Sequence, residues 1–123
     1  MKTLKLTIAL LLFCSMGALA QALPLGSNNY SGSASVNFET HNVSIDFYLT
    51  GGHPYPFAVG TSTFDGNPMT YLRYDSSLGL CYEIYVGTAR YIVYLQVNYD
   101  SYSNEYYYPY SPSGPVMIEK QGW

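Results

Sequence analysis

The sequence predicts an all-β chain: a small antiparallel β-sandwich or barrel of about six to seven strands, largely a meander, behind an N-terminal signal peptide. Three observations predict it. After residue 32 the apolar residues recur with period two rather than about 3.6, and no stretch long enough for an amphipathic helix shows the helical period. Tyrosine, valine, isoleucine and threonine, which suit a pleated, half-buried surface, fill the alternating stretches. Turn residues break the chain every 8–12 residues or so, at His41-Asn42, Gly51 to Pro54, Asp65 to Pro68, Asp75 to Gly79 and Gly87-Thr88.

Residues 1–20 read as the signal peptide. Lys2 and Lys5 make a positive start, Leu6 to Phe13 is almost wholly apolar, and Ala18-Leu19-Ala20 is a small-residue cleavage site. As a retained anchor the apolar stretch falls short of the roughly 20 residues a membrane-spanning helix needs, so no stable membrane insertion is expected after cleavage. Cys14 follows Phe13 rather than the small residue that bacterial lipidation requires. Cleavage after Ala20 leaves 103 of the 123 residues, and losing the two lysines takes the net charge from −3 to −5. A secreted or extracytoplasmic location follows. The negative balance, with only 11% charged residues, excludes a nucleic-acid partner. Cys81 is then the one remaining cysteine, so no internal disulfide can form. A buried thiol is the expected reading, an intermolecular bridge the alternative.

The elements follow in order. Residues 21–32 carry Pro, Gly, Ser and Asn and read as an irregular lead-in to a sheet domain spanning 33–99. In the first hairpin, Ala34, Val36, Phe38 and Thr40 alternate with polar residues, as do Val43, Ile45, Phe47 and Leu49. A His41-Asn42 turn would pair Thr40 with Val43, Phe38 with Ile45, Val36 with Phe47 and Ala34 with Leu49, placing every apolar side chain on one face. Phe57 to Phe64 and Met69 to Tyr74 are further strands whose register the pattern leaves open. In the second hairpin, Gly87-Thr88 suits a type II′ turn and pairs Val86 with Ala89, Ile84 with Tyr91, Tyr82 with Val93 and Leu80 with Leu95. Residues 100–115 form a Tyr/Pro-rich loop in which Pro109, Pro112 and Pro115 keep the chain out of a central strand. Residues 116–123 hold a closing edge strand over Val116 to Glu119.

Candidate binding residues lie in two places. The second hairpin's outer face sets Cys81, Glu83 and Tyr85 opposite Tyr94, Ile92 and Arg90, with Gln96 and Asn98 continuing the row. A solvated sheet face normally alternates cleanly to polar residues. Rings beside a guanidinium and amides suit a sugar's apolar face and polar rim, or a protein partner. The other reading is a face covered by the chain's own tail or a second sheet. The tail adds Tyr106, Tyr107, Tyr108 and Tyr110, as a binding loop or as rings packed over the sheet. The expected ligand-binding set is therefore Tyr85, Arg90, Tyr94, Gln96, Tyr106, Tyr107, Tyr108 and Tyr110.

No catalytic, cofactor or metal residues are assigned. Asp65-Gly66-Asn67-Pro68 lacks the spaced carboxylates of a calcium loop and reads as a turn. His41 and His53 sit in separate turns without a third zinc ligand nearby in sequence. Asn29-Tyr30-Ser31 and Asn42-Val43-Ser44 match the N-glycosylation pattern, which matters only in a glycosylating cell. The expected function is a secreted, non-catalytic binding module for a glycan or an extracellular protein. The alternatives are a self-associating surface protein and a small hydrolase using Glu83 with a second acid. Oligomeric state is left open.

Overall fold

The structure is a computed structural model, and it describes residues 22–51, 55–122. The signal peptide and the turn carrying His53 lie outside the described residues. Those described form eleven strands and no helix: β1 (Gly26–Val36), β2 (Glu39–Leu49), β3 (Phe57–Ala58), β4 (Thr63–Phe64), β5 (Asn67–Pro68), β6 (Thr70–Asp75), β7 (Gly79–Val86), β8 (Ala89–Leu95), β9 (Asn98–Asp100), β10 (Glu105–Tyr107) and β11 (Val116–Gln121). The chain is all-β and its sheets are antiparallel, as expected. The count of six to seven strands is corrected to eleven. The surplus strands β3, β4, β5, β9 and β10 have two or three residues each, too few to display a period.

One sheet runs β1-β2-β4-β5 with β3 also on β2, a second runs β11-β8-β7-β6, and β9 and β10 make a small third sheet. The two larger sheets share one core. Val43, Ile45, Phe47 and Leu49 from β2 meet Leu80, Tyr82 and Ile84 from β7 and Tyr91, Val93 and Leu95 from β8, with Val116 and Ile118 from β11. Each large apolar side chain buried this way contributes about 1.5–3 kcal/mol, which suffices without a disulfide.

The second hairpin has the expected register, from Val86↔Ala89 to Leu80↔Leu95. Gly87 takes φ 63, as the first position of a type II′ turn requires. The first hairpin differs. It turns at Asn37-Phe38, with Val36↔Glu39, Ala34↔His41 and Tyr30↔Ile45, so the turn lies four residues earlier than expected and Ala34 meets His41 in place of Leu49. Residues 26–32, expected to be irregular, form most of β1. The physical reason is that an even displacement leaves Ala34, Val36 and Val43 to Leu49 on their original faces, while Glu39 and Thr40 between the two turns exchange faces: period two fixes the face but not the partner. The observed register pairs eleven residues on each strand. Its cost is at the turn, where Asn37 (φ 48) and Phe38 (φ 65) are both left-handed and the Phe38 ring, expected in the core, stands fully exposed. Asp65-Gly66 is the tip of the small β4–β5 hairpin.

Candidate functional site

Loop 109–115 and two strand edges enclose a cleft of about 670 Å³. One wall is Ser33 to Ser35 of β1, the outermost strand of its sheet; the facing wall is Val116 to Ile118 of β11, the outermost strand of the other. Tyr110, 80% exposed, and Gln96 line the same cleft, and Ser111 and Ser113 add hydroxyls. Among the described residues, no charged side chain lines it. The loop holds its shape through a Ser111–Ser113 hydroxyl contact at 3.0 Å and a bond from the Gly114 amide to the Ser111 carbonyl at 3.1 Å. Gln96 anchors the floor: its backbone N–H donates to the Pro115 carbonyl at 3.0 Å, and its side-chain amide reaches Asn98 Oδ1 at 3.4 Å.

Of the eight expected binding residues, the structure thus brings Gln96 and Tyr110 together in one concavity. The others are distributed elsewhere. Tyr85 is exposed near the tip of the second hairpin, beside its pair Arg90. Arg90 is occupied, donating from Nε to Glu83 Oε2 at 2.6 Å and from Nη1 to Gln121 at 3.1 Å. That same ion pair engages Glu83, the acid considered for hydrolysis. Tyr94 is buried with Cys81 and Ile92 under Leu72 and Leu78. Burial also pushes the Cys81 thiol up, away from the reactive thiolate.

The tyrosine tail is corrected in part. Tyr106 belongs to the core: it is fully buried, its hydroxyl donates to the Thr50 carbonyl at 2.9 Å, and its ring lies 5.1 Å from that of Tyr99. Tyr108 packs edge-on to Tyr30 and Phe47, and burial raises its phenol to about 12. Tyr107 faces outward and donates to Glu105 at 2.8 Å. From Tyr106 to Tyr108 the tail alternates as a strand does, which turns Tyr106 and Tyr108 inward, whereas Tyr110 beyond Pro109 is exposed. Its inward rings join the core instead of covering the second hairpin's outer face, where Leu72 and Leu78 pack on Cys81, Ile92 and Tyr94.

Sequence reasoning missed the cleft's serines. Ser33 and Ser35 looked like the solvated half of an alternating strand, and only the three spaced prolines hinted at a rigid wall opposite. It also missed a row of part-exposed rings. Tyr55 stacks on Tyr74 at 4.7 Å and lies 6.1 Å from Phe57, closing the β3/β6 side of the molecule. Those faces are spent on one another.

The densest polar cluster ties the two sheets together. Glu39 Oε1 accepts from the Tyr91 hydroxyl and lies 2.8 Å from His41 Nε2, while Oε2 accepts from Lys120 at 2.6 Å. His41 Nδ1 lies 2.6 Å from Asp65 Oδ2, and the ring stacks on Phe64. The Lys120 bond first, then Tyr91 and His41, hold the Glu39 carboxyl down at about 2. With a carboxylate on each nitrogen, His41 has no lone pair directed at a substrate. The cluster is a brace between sheets.

Fold and cleft together define a small all-β domain with a neutral, open groove at the junction of two sheets. No protein-family model, no curated protein and no solved structure matches the chain.

Proposed function

We propose that the chain is a secreted, non-catalytic binding module that seats a segment of an extracellular protein in the cleft between β1 and β11. The observation that carries this reading is the cleft itself, which joins the exposed ring of Tyr110 to the amide of Gln96 between walls made of strand edges. A tyrosine ring offers contact area at low entropic cost, and an amide beside it adds a directional polar contact. Neutral walls favour an uncharged segment.

A glycan is the second reading, favoured by the four serines around the ring and the amide. It has less support, because one ring offers a stacking face to one pyranose only. Self-association through the same ring is the third.

Tyr110→Ala and Gln96→Ala test the proposal on parallel arrays of extracellular peptides and glycans. Tyr110 is 80% exposed, so its loss should leave the melting temperature within a degree or two (roughly the ±0.5 kcal/mol of ordinary surface changes). Peptide retention should fall about 30-fold for an anchor contributing roughly 2 kcal/mol. Glycan retention that falls in place of peptide retention would make this a glycan module. Concentration-dependent sedimentation abolished by Tyr110→Ala would make it a self-associating one. Retention unchanged in both variants would place the site elsewhere.

A further inference from the structure

We infer that the partner binds as an added β-strand along the free edge of β11, using backbone hydrogen bonds in the cleft; the inference rests on the binding reading above. In an antiparallel ladder the residues of one pair exchange both hydrogen bonds, and the next pair directs its N–H and C=O groups away from the partner strand. The phase of each ladder therefore shows which backbone groups look into the cleft.

On β11 the phase follows from one bond. The Gln96 amide donates to the Pro115 carbonyl, so these two form a bonded pair. The next pair, Val116↔Leu95, is then non-bonded, and so is Ile118↔Val93. The second hairpin agrees independently. Its two-residue turn makes Val86↔Ala89 a bonded pair, which by alternation directs the Leu95 and Val93 groups toward β7 and leaves none for β11. The N–H and C=O of Val116 and Ile118 thus point off the sheet edge, where the cleft lies.

The opposite wall has the same property. The two-residue Asn37-Phe38 turn makes Val36↔Glu39 a bonded pair, so Ser35↔Thr40 and Ser33↔Asn42 are non-bonded. The Asn42 carbonyl accepts from the Asp65 amide on its other side, which confirms the phase. Ser33 and Ser35 accordingly turn their backbone groups toward β11. Among the described residues, neither β1 nor β11 pairs with a strand on its outer side.

Two facing, unpaired strand edges are a costly surface to leave open, and natural folds normally cover them or blunt them with charge. The Lys120–Glu39 bond ties β11 to β2 at one end, and the Pro-rich loop lines the cleft at the other. The cleft of about 670 Å³ lies beside these edges, with Tyr110 on its lining to contact the side chains of a chain added along β11. An uncharged segment of about three to four residues would match Val116 to Ile118, the part of β11 that lines the cleft, at about 3.3 Å per residue. Main-chain bonds would supply affinity, and Tyr110 and Gln96 the selectivity.

The test selects a phage-displayed library of random dodecapeptides on the secreted protein and measures the enriched peptides against two variants. Val116→Pro removes an outward N–H and leaves the β8 ladder intact, because that N–H takes no part in it. Val116→Ala loses side-chain packing but keeps the N–H, and so controls for stability. The expected result is binding roughly three- to tenfold weaker to Val116→Pro than to Val116→Ala, the value of one backbone hydrogen bond. The bound peptide should also slow hydrogen exchange at the Val116 and Ile118 amides. Equal binding to the two variants, unprotected amides, or no enrichment would overturn strand addition. Should Tyr110→Ala still abolish binding while the Val116 amide stays unprotected, the cleft remains the site and only the strand-addition mode falls. Should Val116→Pro weaken binding while Tyr110→Ala does not, the edge is the site and the role given to Tyr110 falls.

Discussion

Tyrosine has several different roles in this chain, and each is set by which way one residue points. Tyr106 and Tyr107 are neighbours in β10, yet one is wholly buried and the other hydrogen-bonds at the surface. Replacing Tyr106 by Ala should cost about 3–5 kcal/mol, as for other large core rings, whereas Tyr107→Ala should cost under about 1 kcal/mol. Urea denaturation of the two variants would show it, and equal midpoints would mean that Tyr106 is not in the core. A second residue is constrained by its absence of a side chain. Gly79 takes φ 96, and a Cβ there would collide with the backbone carbonyl of Leu95, which is rigid because it sits in the central strand β8. Gly79→Ala should therefore destabilise by at least about 2 kcal/mol, combining strain with a clash that no rotamer relieves. Neither fact was legible beforehand. A run of tyrosines does not announce which rings turn inward until its strand is known, and a glycine's neighbour across a sheet is a tertiary fact.

At the scale of elements, the two long hairpins separate what alternation determines from what it leaves open. For β7 and β8 the turn offered one good choice, since Gly87 supplies positive φ at no steric cost, and the expected register is the observed one. For β1 and β2 two turns four residues apart were compatible with the same faces. His41-Asn42 was the expected turn because asparagine, and to a lesser degree histidine, tolerates the positive φ of a primed turn, but it gives the shorter ladder. The observed turn adds pairs down to Gly26↔Leu49 and accepts Phe38 in the left-handed region. It also frees His41 and Glu39 to brace the sheets. Phe38→Gly should consequently stabilise the protein by roughly 0.5–1 kcal/mol, the relieved strain less the entropy gained by the unfolded chain. No packing is lost, because that ring is fully exposed. A lower melting temperature for Phe38→Gly would mean that the ring makes contacts on which the hairpin depends. The short strands β3 to β5 escaped the sequence for a simpler reason: their positions depend on β2 being already in place.

For the molecule as a whole, the arrangement of sheets is held at one end by charge, and this makes stability depend on pH in a defined direction. Glu39, at the start of β2, reaches Tyr91 in β8 and Lys120 in β11, so its carboxylate joins the two sheets beside the cleft. Its folded value of about 2 lies below the usual 4.5, so the stabilisation is present above pH 4.5 and is lost as pH falls toward 2. His41 runs the other way. Burial opposes its charge, but hydrogen bonds to Asp65 and Glu39 outweigh burial and raise it above 6.5. That contribution is complete below pH 6.5 and disappears as pH rises through the raised value. The brace should thus be strongest between about pH 4.5 and 6.5, and the melting temperature should decline on both sides of that window. Glu39→Gln keeps the size of the side chain but removes the charge that Lys120 and His41 share. Its melting temperature should lie below that of the parent inside the window and converge on it as pH falls to 2 and below, where the parent carboxyl takes up its proton. Because the same bond fixes β11 against β2, the variant should also speed hydrogen exchange at the Met117 and Glu119 amides, which bond to β8. A constant offset between the two melting curves from pH 2 to 6.5 would show that Glu39 acts through packing alone and that charge does not hold the sheets together.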